Sequence, residues 1–372
     1  MVYIRFRRAV LDLKFAQCVD RMPNDKKKPF FLVTGGTGFL GANLCRYLHA
    51  QGYRVRAIDL LAFEDAELAS RVEFIQGDIR DRVSVEKASD GCDIIVHCAA
   101  ALPLWKEAEI RSVNVDGTRI LLETAQRKNI KRFVYISSTA VYGIPKKHPI
   151  FEDDPRSGVG PYGQSKIEAE DLCVSYRSRM CVPILRPKSF IGPGRLGVFD
   201  VLFDWIRRGK NIPIIGAGRN LYQLLHVDDL DRAIELAALA DSTVANDTFN
   251  IGAEKFGTML EDYGALLRHA GFGKHVVPTP AKLLIPLLSI LHSLGISPLY
   301  QWVYETADKD SFVSIEKAKE KLGWIPKKSN QQTLIETYEW YLKNHDRFQG
   351  KSGVTHRVPW NQGILKWVSY FF

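Results

Sequence analysis

The stretch Thr34-Gly35-Gly36-Thr37-Gly38-Phe39-Leu40-Gly41 decides the fold of this chain. It follows the apolar run Phe30–Thr34 and opens a segment with helical spacing, Leu40–Ala50. Glycines at 35, 38 and 41 let the backbone turn tightly and approach a pyrophosphate, and a helix N-terminus stabilises that anion with its free N–H groups. The stretch therefore predicts a strand, a phosphate-binding turn and a helix.

Short β-branched runs alternate with helical patterns after this turn. The predicted strands are Phe30–Thr34, Arg54–Asp59, Val72–Gln76, Asp93–His97, Arg132–Ser137 and Val182–Arg186. The predicted helices between them include Leu40–Ala50, Val83–Ala88, Ser112–Arg127 and Ser165–Tyr176. This alternation predicts an α/β fold of the Rossmann type, with a doubly wound parallel sheet.

The alternation of strands and helices ends after Arg186, and Gly and Pro residues are frequent in 192–218. Helical patterns return near 227–240, 259–270, 314–322 and 331–344, and a strand is expected at 248–251. We expect a smaller substrate lobe at the C-terminal edge of the sheet, where ligands of such folds bind. The predicted divisions are a basic N-terminal arm (1–28), an NAD-binding domain (29–190) to which later segments return, a substrate lobe (191–345) and a basic aromatic tail (346–372).

An acidic residue after the second strand predicts the cofactor. Asp59 lies 18 residues beyond Gly41, where a carboxylate accepts hydrogen bonds from the adenosine ribose and repels a 2′-phosphate. Leu60 follows it, so no adjacent cation favours NADP, and NAD is expected. Asp78, in Gly77-Asp78-Ile79, could receive the adenine amino group, or it could cap the helix that begins near Asp81. Ala99 and Ala100 are small enough for a nicotinamide ribose to lie close, and His97 is expected to be a packed histidine.

Tyr162 and Lys166 stand at i and i+4, on one face of a predicted helix. A nearby ammonium and a positive nicotinamide ring favour the phenolate and are expected to lower the tyrosine pKa by ~2–3 units. Ser137, Ser138 and Thr139 end the fifth strand at the same sheet edge, where a hydroxyl could hydrogen-bond the substrate oxygen. The pattern predicts proton transfer coupled to hydride transfer at a carbon–oxygen centre.

Several short motifs, some of them described above, follow one another along residues 30–345. They are TGGTGFLG (34–41), Asp59, GDI (77–79), HCAA (97–100), NVDGT (114–118), SSTAVYG (137–143), PYGQSK (161–166), Arg186-Pro187 with Gly192-Pro193, HVDD (226–229) and LGWIP (322–326). In these motifs the chain resembles the extended short-chain dehydrogenase/reductase family, the epimerase/dehydratase superfamily. The resemblance implies a Rossmann domain with a C-terminal substrate lobe, and an NAD-dependent oxidoreductase.

The resemblance also implies roles for individual residues. Ser138, four residues before Tyr142, would be catalytic with Tyr162 and Lys166, and Asn114 would support a proton relay. The residues expected to contact NAD are Gly35, Thr37, Gly38, Phe39, Leu40, Gly41, Asp59, Asp78, Ile79, Ala99, Ala100, Tyr162, Lys166 and Pro187. The residues expected to contact substrate are Ser138, Thr139, Ser189 and Tyr222.

Two substrate classes remain open. Nucleotide-sugar enzymes of this family usually have Asn three residues after the strand-six Arg and Arg four residues before the HVDD histidine; here these are Ser189 and Tyr222. A basic R-x-G-D element is also missing, and a diphosphate buried without cations is costly. The apolar segment 282–291 resembles the lobe of 3β-hydroxysteroid dehydrogenase-like enzymes, although it could be plain core. These features favour a lipophilic, sterol-like alcohol or ketone; the alternative is a nucleotide-sugar epimerase or dehydratase with tightly bound NAD.

The net charge of +9 arises from basic residues at the two ends of the chain. Residues 1–28 hold eight basic and three acidic groups, residues 347–372 hold four basic and none acidic, and residues 29–346 have no net charge, so nucleic acid is not an expected partner. The tail adds Trp360, Trp367, Tyr370 and Phe372, which favour a peripheral membrane contact; packing on the body or on a second copy is the alternative.

The remaining expectations concern cysteines, location and assembly. Six scattered cysteines lack metal-ligand spacing, which predicts reduced thiols, no metal site and a cytoplasmic enzyme, with possible membrane association through the termini. The family often dimerises, so a homodimer is one expectation. A non-enzymatic NAD-sensing subunit is a further alternative, against which the intact Ser138, Tyr162 and Lys166 argue.

Overall fold

A computed structural model describes residues 28–103, 105–196, 198–293 and 301–348. Within these ranges, seven parallel strands form one sheet in the order β10-β6-β5-β4-β1-β2-β3. The strands are β1 (Phe30–Thr34), β2 (Arg54–Asp59), β3 (Glu73–Gln76), β4 (Ile94–His97), β5 (Arg132–Ile136), β6 (Ile184–Pro187) and β10 (Thr248–Ile251). β1 pairs in register with both neighbours, with Phe31 opposite Val55 and Ile94. The predicted parallel doubly wound sheet is confirmed.

Helices cover both faces of this sheet. In chain order they are α1 (Phe39–Ala50), α2 (Ala66–Arg71), α3 (Arg82–Ser89), α4 (Glu107–Arg111), α5 (Thr118–Arg127), α6 (Gly160–Ser175), α7 (Val198–Arg207), α8 (Val227–Leu239), α9 (Ser242–Ala245), α10 (Met259–Ala270), α11 (Ala281–Ser293), α12 (Gln301–Thr306), α13 (Glu316–Leu322) and α14 (Asn330–Asn344). A π-helical segment, Ser112–Gly117, joins α4 to α5, and single 3₁₀ turns cover Thr139–Tyr142 and His345–Phe348. Because both faces are covered, the strands are almost continuously apolar.

Apolar residues form separate cores around the sheet. One includes Leu44, Val134 and Ile234, so helices from both halves of the chain pack on that face. A second core on the other face includes Leu121 and Phe133. A third lies outside the sheet and includes Phe203, Leu266 and Tyr338. The last core joins α7, α10 and α14, three helices that follow β6.

The segment after β6 contains elements that the sequence did not predict. Two small parallel pairs are found among the described residues, β7 (Phe190–Ile191) with β9 (Leu225–His226), and β8 (Ile212–Ile215) with β11 (Val276–Thr279). Helix α7 is also new. Glycines and prolines of residues 192–218 lie at the ends of these elements. Among them, Gly192, Gly194, Gly209 and Gly216 have positive φ.

Helix α6 begins at Gly160 rather than at Ser165, with Pro161 in its first turn. Proline is well placed there because the first helical N–H groups have no partner within the helix. The earlier start places Tyr162 inside the helix, so Tyr162 and Lys166 share one face as expected. This helix carries the chemistry proposed below.

A buried carboxylate fixes α6 against the sheet. Glu170, 1% exposed, accepts hydrogen bonds from Arg186 Nε at 2.8 Å and from Arg186 Nη2 at 2.6 Å. Ser137 donates to the same carboxylate at 2.6 Å, and Arg156 lies 3.2 Å from it. The third nitrogen of the guanidinium, Arg186 Nη1, donates to the Tyr142 hydroxyl at 2.7 Å. Helix α6 is therefore tied to the ends of β5 and β6.

The two ends of the chain lie outside the described residues, apart from Lys28 and residues 346–348. The predicted basic arm and aromatic tail, with their membrane contact, therefore stay predictions. Among the described residues, no helix is both long and apolar enough to cross a bilayer.

We predict that Glu170→Ala lowers the free energy of unfolding by about 3–5 kcal/mol, because it leaves Arg186 buried without its carboxylate. Urea unfolding followed by circular dichroism measures this loss. Glu168→Ala is the matched control on the same helix, since the Glu168–Arg111 ion pair is exposed and should contribute no more than about 1 kcal/mol. Equal losses in the two variants would contradict the prediction.

Candidate functional site

The glycine-rich turn leaves no room for side chains. Gly35 has φ +66°, and a Cβ there would lie 2.8 Å from the backbone of Ala99. A Cβ on Gly41 would lie 2.0 Å from the carbonyl oxygen of Gly35. Larger residues at these two positions would displace the backbone, so the turn depends on glycine.

The N-terminus of α1 is open to an anion. Gly38 is its N-cap, no side-chain hydrogen bond caps this end among the described residues, and the first turn has no acidic residue. Phe39, Leu40 and Gly41 are buried and hold the turn against the sheet. The backbone N–H groups and the helix dipole there suit a pyrophosphate. The fit to a dinucleotide at this turn is good.

Asp59 lies next to the same turn. Its carboxylate accepts hydrogen bonds from Thr37 N at 3.0 Å and from Leu60 N at 2.7 Å. It is partly exposed, and the neighbouring side chains of Leu60 and Leu61 are apolar and exposed. An acid without an adjacent cation suits the two ribose hydroxyls of NAD better than a 2′-phosphate.

Asp78 binds Arg80 instead of capping a helix. Arg80 Nη2 donates to Asp78 Oδ2 at 2.6 Å, and this partner holds the pKa of Asp78 below its usual value. The N-cap of α3 is Asp81, whose carboxylate accepts from Val83 N and Ser84 N. The alternative role of Asp78 as a helix cap is therefore wrong. Contact of Asp78 and the buried Ile79 with adenine stays a prediction.

The end of β4 packs against the glycine turn. Ala99 N donates to Thr34 Oγ1 at 3.2 Å, and Ala99 and Ala100 are partly exposed at the sheet edge. His97 lies between Thr34 Oγ1 (2.7 Å) and Thr118 Oγ1 (2.9 Å), and burial lowers its pKa to about 3. His97 is a neutral packed histidine, as the sequence predicted.

Ser138, Tyr162 and Lys166 come together beyond the ends of β4 and β5. The Ser138 side chain acts on the Tyr162 hydroxyl and lowers its pKa. Lys166 Nζ donates to the carbonyl oxygen of Ile136 at 2.9 Å and lies 6.0 Å from the centre of the Tyr162 ring. Thr139, the alternative hydroxyl, is 9% exposed, and Pro187 is buried at the end of β6.

The pKa of Tyr162 differs from the sequence expectation. Burial raises it to about 12, while the Ser138 hydrogen bond and the charge of Arg195 act in the opposite direction. Lys166 does not lower it here, and burial lowers the pKa of Lys166 itself to about 8. The sequence predicts that the Lys166 ammonium lowers the pKa of Tyr162. In the structure the pKa of Tyr162 is raised instead, because desolvation of the phenolate is the larger effect.

Asn114 connects the loop after β4 to helix α6. Its Oδ1 accepts a hydrogen bond from Ala101 N at 2.8 Å, and its Nδ2 donates to Ser165 Oγ at 2.9 Å. Ser165 Oγ in turn donates to the carbonyl oxygen of Tyr162 at 2.8 Å. Asn114 thus positions the turn of helix that bears Tyr162, and its role in a relay stays a prediction.

The expected substrate residues Ser189 and Tyr222 are in contact, with their hydroxyl oxygens 3.3 Å apart.

Sequence reasoning missed two positively charged side chains near the site, Arg195 and Lys188. Arg195 lies over the Phe39 and Phe190 rings, 5.2 Å and 5.8 Å from their centres, and its charge acts on Tyr162. Lys188 lies 5.3 Å from the centre of the Tyr222 ring. The only sequence signal was a basic residue on each side of the Gly192-Pro193 motif.

The described cysteines are buried or partly buried. The five described cysteines are free thiols, and burial raises the pKa of Cys45, Cys98 and Cys173 well above the usual value. Among the described residues, no cluster of His, Cys, Asp and Glu could hold a metal ion.

Comparisons with known proteins agree with this geometry. The uncharacterized protein y4nG of Sinorhizobium fredii is 37% identical over 345 residues, which cover 91% of this chain and 85% of that protein. The dTDP-glucose 4,6-dehydratase of Streptomyces niveus is 28% identical over 84% of this chain and 93% of its own length. The structure of UDP-glucose 4-epimerase with UDP-glucose from Thermotoga maritima has a TM-score of 0.70 at 27% identity, covering 85% of this chain and 99% of that chain.

The family comparison covers the part of the chain that forms the site. A model of the NAD dependent epimerase/dehydratase family matches residues 31–252, from β1 through β10. This range contains the glycine turn, Asp59, the Ser138–Tyr162–Lys166 group and Tyr222. The chain therefore belongs to the NAD-dependent epimerase/dehydratase family.

Proposed function

We propose that this protein is a nucleotide-sugar epimerase that inverts a secondary alcohol of the sugar through a transient ketone. The observation that supports the proposal most directly is the group Ser138, Tyr162 and Lys166 at the sheet edge next to the glycine turn. NAD held at this turn would supply the acceptor and donor of the hydride.

The residues of this chain would handle the proton. In the oxidation, the phenolate form of Tyr162 takes the proton of the sugar hydroxyl onto Oη as the carbon–hydrogen bond breaks. The Ser138 hydroxyl hydrogen-bonds the same sugar oxygen as negative charge develops on it. In the return step the ketone would present its opposite face to the hydride donor, and Tyr162 would give the proton back, so the centre is inverted and the net reaction consumes neither proton nor cofactor.

A nucleotide sugar is preferred to the lipophilic substrate that the sequence favoured. UDP-glucose is bound in the structure of the Thermotoga maritima epimerase, and the sterol-like substrate has no support in these comparisons. The apolar segment that suggested a steroid lies on α11, where the side chains of Leu283, Leu287 and Ile290 are 72%, 49% and 58% exposed. Only Leu288 of the described side chains on that helix is buried.

Epimerisation is preferred to dehydration on chemical grounds. Elimination of water needs an acid that protonates the departing hydroxyl, in addition to the group that serves the ketone. The residues that flank Ser138 are Ser137, Thr139 and Ala140, and none of them has a carboxyl group. Oxidation and return need one group that moves a proton, and we assign that role to Tyr162.

Incubation of the NAD-loaded protein with UDP-glucose, dTDP-glucose and a panel of sterols tests the proposal. We expect interconversion of UDP-glucose and UDP-galactose without net NADH, detected by chromatography of the nucleotide sugars. A 4-keto-6-deoxy product would favour the dehydratase instead. Stoichiometric NADH from a sterol, with no change in any nucleotide sugar, would overturn the proposal.

Tyr162→Phe should lower kcat roughly 10²–10⁴-fold while NAD still binds, because only the proton-transferring hydroxyl is lost. Single-turnover product analysis measures the rate, and cofactor content measures binding. Tyr176→Phe is the matched control, since Tyr176 ends the same helix away from Ser138 and should turn over normally. Near-normal turnover of Tyr162→Phe would show that the Tyr162 hydroxyl does not transfer the proton.

Asp59→Asn should weaken NAD binding roughly tenfold and reduce the preference for NAD over NADP, because the amide keeps the acceptor for Thr37 N but loses the charge. Dissociation constants for the two cofactors, measured by calorimetry, test this. Asp65→Asn, at the exposed cap of α2, is the control and should leave the ratio unchanged. An unchanged ratio in Asp59→Asn would remove Asp59 from the cofactor site.

A further inference from the structure

A buried lysine follows the sixth strand of the sheet. Lys188 comes directly after β6 and is 2% exposed. Its backbone N–H donates to the carbonyl oxygen of Ile251 at 2.8 Å, which keeps this residue in line with the sheet. Lys188 therefore lies at the carboxyl edge of the sheet, two residues beyond Arg186.

The ammonium of Lys188 makes fewer hydrogen bonds than its three hydrogens allow. It donates one hydrogen bond, to Ser311 Oγ at 2.6 Å, and its other two hydrogens have no acceptor among the described residues. None of the described carboxylates forms an ion pair with it, and burial alone lowers its pKa to about 7. A buried cation without an acid is costly, so such groups are usually paired or serve a ligand.

A second polar group in this place also lacks a partner. His148 Nε2 is buried with no hydrogen-bond partner among the described residues, and its ring packs on Phe312, with ring centres 5.0 Å apart. Phe312 directly follows Ser311, the residue that accepts the Lys188 hydrogen bond. Lys188 and His148, from different segments, therefore contact neighbouring residues of one short stretch.

The substrate residues predicted from the sequence border the same region. Lys188 Nζ lies 5.3 Å from the centre of the Tyr222 ring, and the Tyr222 hydroxyl meets Ser189 Oγ. Tyr222 occupies the position, four residues before the HVDD histidine, where nucleotide-sugar enzymes usually have an arginine. The ammonium of Lys188, which follows β6, thus lies beside the ring that occupies this arginine position.

We propose that Lys188 binds an oxyanion of the nucleotide-sugar substrate and replaces the arginine that is absent at position 222. The inference rests on the proposed function and adds the group that recognises the substrate. The oxyanion is either the diphosphate or a carboxylate on the sugar, since both accept hydrogen bonds from an ammonium. His148 Nε2 and the Tyr222 hydroxyl would complete the contacts around it.

Calorimetric titration of the NAD-loaded protein tests the inference with four probes: uridine, UDP, UDP-glucose and UDP-glucuronic acid. Lys188→Met should weaken UDP and UDP-glucose binding roughly 10- to 100-fold and leave uridine unchanged if the diphosphate is the ligand. If the sugar carboxylate is the ligand, only UDP-glucuronic acid should be weakened. Lys188→Arg should restore part of the affinity, because it keeps the charge.

Two controls separate binding from folding. Lys309→Met removes an exposed lysine two residues before Ser311 and should bind every probe as the unchanged protein does. The thermal midpoint of Lys188→Met should be equal or higher, because a buried methionine needs no partner.

Two further results would each overturn the inference. Equal affinities of Lys188→Met and the unchanged protein for every anionic probe would overturn it while the proposed function stands. Failure of the unchanged protein to bind any nucleotide probe would overturn the proposed function, and this inference with it.

Discussion

The buried carboxylate of Glu170 joins the three elements whose side chains form the proposed site. Its partners are Arg186 on β6 and Ser137 at the end of β5, and Glu170 itself lies on α6. Each partner is a near neighbour in sequence of a site residue: Ser137 precedes Ser138, and Arg186 is followed closely by Lys188. Because an ion buried without a counter-ion is costly, the three elements keep their relative positions.

The site combines buried cations with few acids. Lys166 and Lys188 each donate one hydrogen bond to an uncharged oxygen, and burial lowers their pKa values to about 8 and about 7. Arg195 adds a third positive charge that acts on Tyr162. Positive groups in surroundings of low polarity attract an anion more strongly than they would in water. Such groups would let a body without net charge bind the proposed nucleotide diphosphate.

The substrate was the weakest part of the sequence-based interpretation, and the reason is geometric. The absence of an arginine at position 222 was inferred from spacing along the chain, and it argued against a diphosphate. Spacing does not reveal that Lys188, which follows β6, lies beside Tyr222 and Ser311. The apolar segment is a similar case, because composition does not tell whether a helix face is buried or exposed.

The sequence by itself determined the parallel sheet, the glycine turn with Asp59, and the shared helix face of Tyr162 and Lys166. These features depend on local backbone preferences, on alternation and on i, i+4 spacing, all of which act over a few residues. Only the tertiary structure decided the Glu170–Arg186 pair, the Asn114–Ser165 contact, the place of Lys188 and the direction of the Tyr162 pKa shift. Those depend on which segments exclude water from one another, and contacts between residues distant in the chain decide that burial.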